Sequence, residues 1–338
     1  GVVTVITVVL DLMIAVGIGL LISAFLFLRE IIGARVYKKK YRCEDILSKR
    51  ARTEEETTVL SKHGCKILVY ELSGNLFFGT ADKLSDDVQK ELDGTQIIIF
   101  DLKRVDTIDI TGAELIKRIC DDVKSNAETF MLSSLLSGTR SREKLMLYLR
   151  DLGVMESVGE ENIFPDVDRA LEAAENRMIE KYSPEAVASR CQWDFSDFAL
   201  LNHLTPEQKA RVKQVMEKRA YRAGETIFEE GEPGDALFFI ACGYVSILAA
   251  SGPKKDMRFA SLGPGLYFGE MALLERSVRS ARAVADEDCE LYVLKMDDFE
   301  NLMEEDATIG TRIFATMAKV LSQRLRKVSG ELTALESV

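Results

Sequence analysis

The sequence predicts a multidomain chain: a transmembrane helix that closes a membrane domain, then an α/β sandwich, then a β-roll with C-terminal helices. Three observations predict this. Residues 12–28, LMIAVGIGLLISAFLFL, form an unbroken apolar run, and the first 28 residues carry one charge, Asp11. Residues 66–174 alternate strand-like and helix-like patterns around QIIIFDL at 96–102, the signature of a buried parallel strand. From residue 221 onward, short strand patterns are separated by Gly and Pro turns, which indicates an all-β roll.

The 338 residues allow two or three domains, and 47% hydrophobic with 29% charged content is ordinary globular material. A net charge of −11 argues against nucleic acid as a partner. Cys43, Cys65, Cys120, Cys191, Cys242 and Cys289 show no CxxC spacing and read as free thiols in a reducing compartment. The two histidines, His63 and His203, lie far apart and have no ligand spacing. There is no nucleophile elbow and no P-loop. The expectation is therefore no catalytic residues, no metal, no cofactor and no enzyme.

Residues 1–30 read as the end of a membrane domain. The 17-residue run at 12–28 is near the lower limit for spanning a bilayer as a helix. Basic residues follow it: Arg29, Arg35, Lys38, Lys39, Lys40, Arg42, Lys49, Arg50 and Arg52. This places the C-terminal side in the cytosol and the protein in the inner (plasma) membrane. The basic neck, 31–62, can also attract anionic lipid headgroups. The short apolar piece VVTVITVVL at 2–10 reads as the end of a further span, with Asp11 at an external turn. Gly19 and Ser23 would let another helix pack closely.

Residues 63–180 form the sandwich. Strands are expected at 67–72, 96–102 and 129–135, and helices at 81–92, 113–123, 144–152 and 167–174. Leu115, Ile116, Ile119 and Val123 share one helix face. The sequences Gly74-Asn75-Leu76-Phe77-Phe78, Phe100-Asp101-Leu102, Val105-Asp106-Thr107-Ile108-Asp109-Ile110-Thr111-Gly112 and Leu152-Gly153-Val154 resemble a STAS domain. That fold is shared by anti-sigma-factor antagonists and the tails of sulfate-permease (SulP) anion transporters. The resemblance implies a phosphoacceptor turn at Asp109 and Thr111, although Ile110 stands where the antagonists usually carry Ser. The same two residues also suit a helix N-cap. A phosphate there would add about −1.5 to −2 charge at a helix start.

After a linker at 181–194, residues 195–338 carry the most distinctive pattern. Phe268-Gly269-Glu270-Met271-Ala272 precedes Arg279-Ser280-Ala281. Small residues let backbone N–H groups approach an anion. Arg279 can add a bidentate pair to phosphate oxygens, and Glu270 can accept from a ribose hydroxyl. An N-capping Glu and a solvated Arg would give the same short pattern. Gly224-Glu225, Gly231, Gly234-Asp235 and Gly243 complete a series that resembles a cyclic-nucleotide-binding domain of the catabolite-activator and protein-kinase-regulatory type. The resemblance implies that Glu270 holds the ribose and Arg279 the cyclic phosphate. Gly269, Met271, Ala272, Ser280 and Ala281 then line the cassette, with cAMP or cGMP as ligand. Residues 236–248 read as a strand pair broken at Gly243. Ile313, Met317, Val320, Leu321, Leu325 and Val328 mark a C-terminal helix that either closes over the base or packs structurally. The chain ends soon after this helix, so a helix-turn-helix reader is not expected.

The domain order resembles the C-terminal part of a bacterial SulP transporter. That resemblance implies a regulatory tail in which nucleotide binding acts through STAS on the transport domain, with the bilayer and that domain as partners and a homodimer compatible with both domain types. The alternative is a membrane-tethered sensor or scaffold that signals to a soluble partner. The transported anion is not encoded in these residues.

Overall fold

The computed structural model describes residues 16–25, 36–126, 129–135, 140–188, 195, 198–250 and 256–336. Only the backbone is described for 78–82, 140–141, 188, 250, 256, 272–273 and 323–336. The chain divides into two compact units, 1–48 with 58–178, and 49–57 with 179–338.

The expected transmembrane helix does not emerge. Among the described residues no helix is long and apolar enough to cross a membrane. Within the run 12–28, residues 16–25 are described and helical. Val16, Leu20, Leu21 and Phe25 on this helix are exposed. The predicted piece at 2–10 and its turn at Asp11 lie outside the described residues.

The first unit is built on a five-stranded sheet of order β1-β2-β3-β4-β5. These are β1 Tyr37–Arg42, β2 Ile67–Leu76, β3 Ile97–Ile108, β4 Thr129–Ser133 and β5 Ile163–Phe164. β1 runs antiparallel to β2, and the other neighbours are parallel. Parallel strands are normally covered on both faces, which explains the unbroken apolar runs. Ile67–Tyr70 and Ile98–Phe100 are essentially inaccessible to solvent. Tyr70, Phe100 and Phe130 meet edge-on, with ring centroids 5.5 and 4.9 Å apart. The helices of this unit are α1 Glu54–His63 (which straddles the unit boundary), α2 Phe78–Glu91, α3 Ile110–Ser125, α4 Arg140–Asp151, α5 Val154–Val158 and α6 Val167–Tyr182. Leu115, Ile116, Ile119 and Val123 of α3 are all buried, as their spacing predicts.

The basic neck is partly an edge strand. Tyr37–Arg42, YKKKYR, pairs with β2, and lysines are common on edges because they block further pairing. Lys40 Nζ donates to Asp87 Oδ2 at 2.8 Å and Glu91 Oε1 at 3.0 Å, and Arg42 pairs with Glu91. Burial works against ionisation of Asp87, but hydrogen bonds from Lys40 and Tyr70 outweigh it and hold the carboxyl below its ordinary range. Lys40 and Arg42 of the basic neck are thus engaged within the protein.

The second unit holds two antiparallel four-stranded sheets, β10-β9-β12-β7 and β11-β8-β13-β6. Their strands are β6 Glu217–Tyr221, β7 Thr226–Phe228, β8 Ala236–Cys242, β9 Val245–Ala250, β10 Asp256–Leu262, β11 Tyr267–Phe268, β12 Arg282–Ala285 and β13 Cys289–Lys295. The expected pairing within 236–248 is corrected: β8 and β9 belong to different sheets. Gly243 makes the crossing, at φ +85°. A Cβ there would lie 2.6 Å from the Asp288 carbonyl oxygen and from Cys289 Sγ. The helices are α7 Pro184–Ala188, α8 Pro206–Val215, α9 Glu270–Glu275, α10 Met296–Glu305 and α11 Ala307–Glu336. Ile309, Ile313 and Met317 of α11 are fully buried with Phe198, Phe239 and Phe299.

Not every cysteine is a free thiol. Cys242 is disulfide-bonded, whereas Cys43, Cys65, Cys120 and Cys289 are free. Burial pushes the thiols of Cys120 and Cys289 up to about 11. Of the four, only Cys65 is not buried. Alkylation with iodoacetamide at pH 8 should therefore label Cys65 first among them, read by peptide mass mapping, because the thiolate is the reactive form.

Candidate functional site

The site of the second unit begins at the end of β11. Gly269 adopts φ +88°, and a Cβ on it would meet Arg279 Nη1 at 2.8 Å and the Ala236 carbonyl oxygen at 3.1 Å. Glycine is required there twice, by conformation and by space. α9 follows at once, placing Glu270 in its first turn, where it is buried. Ala272 lies in the same helix, with its side chain outside the described residues.

Arg279 is brought in by the loop that precedes β12. Its N–H donates to the Glu232 carbonyl at 2.8 Å, and its carbonyl accepts from Gly231 N–H at 2.9 Å. The turn around Gly231, with φ +86°, thus fixes the arginine backbone. The guanidinium is 3% exposed. Nη1 donates to the Gly269 carbonyl at 3.1 Å and Nη2 to the Ala236 carbonyl at 2.9 Å. Its carbon lies 4.4 Å from the centre of the Phe228 ring and 5.5 Å from that of Phe238. It forms an ion pair with the exposed Asp235, at 3.5 Å. Nε is buried without a hydrogen-bond partner among the described residues. Burial lowers the pKa of this arginine, opposed by Asp235 and Glu232. A buried cation with an orphaned donor is chemically suited to an anion.

Gly269, Glu270, Met271, Arg279, Ser280 and Ala281 all line one cavity of about 180 Å³. Ser280 Oγ is exposed, 3.8 Å from Met271 Sδ. The apolar part of the lining is made by Phe228, Ile247, Ala260, Leu262 and Phe268. Of these, Phe228, Ile247 and Phe268 stand in segments that sequence reading singled out, and Ala260 and Leu262 do not. Alternation in a strand shows which residues face inward, but not which of two interiors they face. On α11 the predicted stripe is buried at Ile313 and Met317, so that part packs into the core. The side chains of Leu325 and Val328 lie outside the described residues.

The turn in the sandwich is a helix cap. Asp109 is extended and its Oδ1 accepts from Gly112 N–H at 2.7 Å. Thr111 sits half-buried in the first turn, and Ile110 is exposed. Gly112 is needed for close approach, since a Cβ would meet the Leu76 carbonyl oxygen at 2.5 Å. Asp109→Ala should cost about 1 kcal/mol, measurable as a lower denaturant midpoint for the sandwich. No group of three or more His, Cys, Asp or Glu that could hold a metal is present among the described residues.

A parallel α/β sheet with a capped Asp-x-Thr-Gly turn and a β-roll with a buried arginine define two regulatory domains. Residues 58–170 match the STAS domain family, and residues 218–306 match the cyclic nucleotide-binding domain family. The chain carries a STAS domain followed by a Crp-type cyclic nucleotide-binding domain. It is 29% identical over 292 residues to Glutaminase 2 of Bradyrhizobium diazoefficiens, a match that covers 86% of this chain and 45% of that protein. Glutaminase 1 of the same organism is 28% identical over 293 residues, with the same coverage. The chain thus spans about 45% of the length of these curated relatives. The Cyclic AMP receptor protein of Thermus thermophilus is 35% identical over 136 residues, covering 40% of this chain and 61% of that protein. Among solved structures, the catabolite activator protein of Thermus thermophilus aligns with a TM-score of 0.37 at 35% identity, over 41% of this chain and 63% of that one. The expectation of no enzyme is overturned by the two glutaminases, whose match runs through 86% of the chain. Residues outside the matched domains carried no signal from which this could be read.

Proposed function

We propose that this chain senses a cyclic nucleotide, cAMP or cGMP, and that the STAS domain relays the change to an output domain of the same protein. The observation that carries the reading is the buried Arg279, with its orphaned Nε, lining one cavity with Gly269, Glu270 and Ser280. The cyclic phosphate would pair with Arg279, and Glu270 would accept from the ribose hydroxyl. Met271, Ala272 and Ala281 would complete the cassette. A ligand can shift the relay only by binding two states unequally. Calorimetric titration of the full chain with cAMP and cGMP tests this, with Glu270→Ala alongside. Micromolar binding that Glu270→Ala weakens supports the reading, and heatless titrations with both nucleotides refute it.

For the output, the exposed apolar residues Val16, Leu20, Leu21 and Phe25 favour a membrane domain of the SulP anion-transporter type, with the STAS and nucleotide-binding domains in the cytoplasm. A second reading rests on the relatives named glutaminases, and makes the output a domain that hydrolyses the amide of glutamine. Expressing the whole gene product and assaying both sulfate uptake and glutamine hydrolysis, with and without cAMP, separates them.

A further inference from the structure

The segment 49–51 forms an additional strand-like edge on the nucleotide-binding domain. Arg50 makes a parallel bridge to Ser261 of β10. Ala51 N–H donates to the Ser261 carbonyl at 2.7 Å, and Ser261 N–H donates to the Lys49 carbonyl at 3.1 Å. Lys49 Nζ donates to the Arg258 carbonyl at 2.7 Å. The Arg50 guanidinium lies 3.2 Å from the centre of the Tyr244 ring, and both residues are buried. A planar, weakly hydrated guanidinium stacks there in a way that lysine cannot reproduce.

The same strand walls the cavity. Ala260 and Leu262, on either side of Ser261, line it. Ser261 faces the other way, as alternation demands, and its Oγ donates to Asp286 Oδ2 at 3.1 Å. Asp286 also accepts from Ser246 Oγ at 2.7 Å, and its N–H donates to the Tyr244 carbonyl at 2.8 Å. Arg258 Nη1 lies 3.7 Å from the same carboxylate. One face of β10 therefore contacts whatever fills the cavity, while its backbone edge holds the 49–51 segment. The residue just before this segment is tied elsewhere. Ser48 N–H donates to Glu175 Oε1 at 2.6 Å, and Glu175 on α6 is fully buried in the first unit.

We propose that Lys49–Arg50–Ala51 is a strap that transmits occupancy of the nucleotide cavity from β10 into the chain leading to the STAS domain. The inference rests on the cyclic-nucleotide reading of that cavity. Filling the cavity orders Ala260 and Leu262, and the strap is ordered with them because it shares the Ser261 backbone. Linkage makes the effect reciprocal, so loosening the strap weakens nucleotide binding.

The test is hydrogen–deuterium exchange of the full chain with and without saturating cAMP or cGMP, paired with calorimetry. Exchange in peptides covering 49–52 and 260–262 should slow together on binding. Arg50→Ala and Arg50→Lys should each weaken nucleotide affinity by about five-fold or more, the lower end of ordinary coupling between sites. The strap alone is overturned if nucleotide binds and protects 260–262 while 49–52 exchanges unchanged. It is equally overturned if a folded Arg50→Ala chain binds with wild-type affinity. Failure of both nucleotides to bind the wild type overturns the strap and the sensor reading together.

Discussion

Arg279→Glu should abolish cyclic-nucleotide binding, with a loss of about 3–5 kcal/mol, or some two to four orders of magnitude in affinity. That range is typical when one partner of a buried charge pair is removed and its sign reversed. The geometry explains the size of the effect. The guanidinium is 3% exposed and is held by the carbonyls of Gly269 and Ala236. A carboxylate in its place would face those two carbonyl oxygens as well as the ligand phosphate. Arg279→Lys keeps the charge but loses the planar stacking on Phe228. It should retain a measurable part of the affinity, so the pair of variants separates charge from shape. Calorimetry gives the affinities. Thermal unfolding of each variant shows whether the pocket is still formed. An Arg279→Glu chain that folds and binds cAMP as the wild type does would remove the arginine from the site.

Phe100→Ala should destabilise the STAS domain by about 3–5 kcal/mol, the usual cost of a large-to-small change at a fully buried aromatic. Phe100 is at the centre of the β3 run, with Tyr70 on one side and Phe130 on the other. Its loss leaves a cavity that two rigid strands cannot close, and two edge-on ring contacts disappear with it. Because the chain has two compact units, the change should appear in one calorimetric transition and leave the other in place. Nucleotide affinity of the folded chain should not change. A single transition shifted as a whole would mean that the two domains unfold as one.

Much of the fold was legible because it depends on local chemistry. The run at 96–102 declared a buried strand, and the structure extends it to Ile108 by adding buried Val105 between exposed Lys103, Arg104, Asp106 and Thr107. That extension was harder to see, since four of its six residues are polar. The face of α3 was readable from a 3.6-residue period alone. Gly269, Glu270 and Arg279 were readable because a positive φ, a buried acid and a fixed base each demand one residue type. The pairing of β8 with β9 was misjudged because a glycine between two apolar strands looks the same whether the chain makes a hairpin or crosses to another sheet. Basic residues after an apolar run suit a lipid surface, yet Lys40 and Arg42 pair with Asp87 and Glu91.

By itself the sequence carried the two domains and their order, through short motifs that resemble known families, since such motifs depend on side-chain type and short-range spacing. Only the tertiary structure decided that Arg279 is buried with an orphaned donor, that Ile247, Ala260 and Leu262 line the same cavity, and that Arg50 rests on Tyr244. Those contacts join residues tens to hundreds of positions apart, and such distant partners are chosen by packing and hydrogen-bond satisfaction rather than by local propensity.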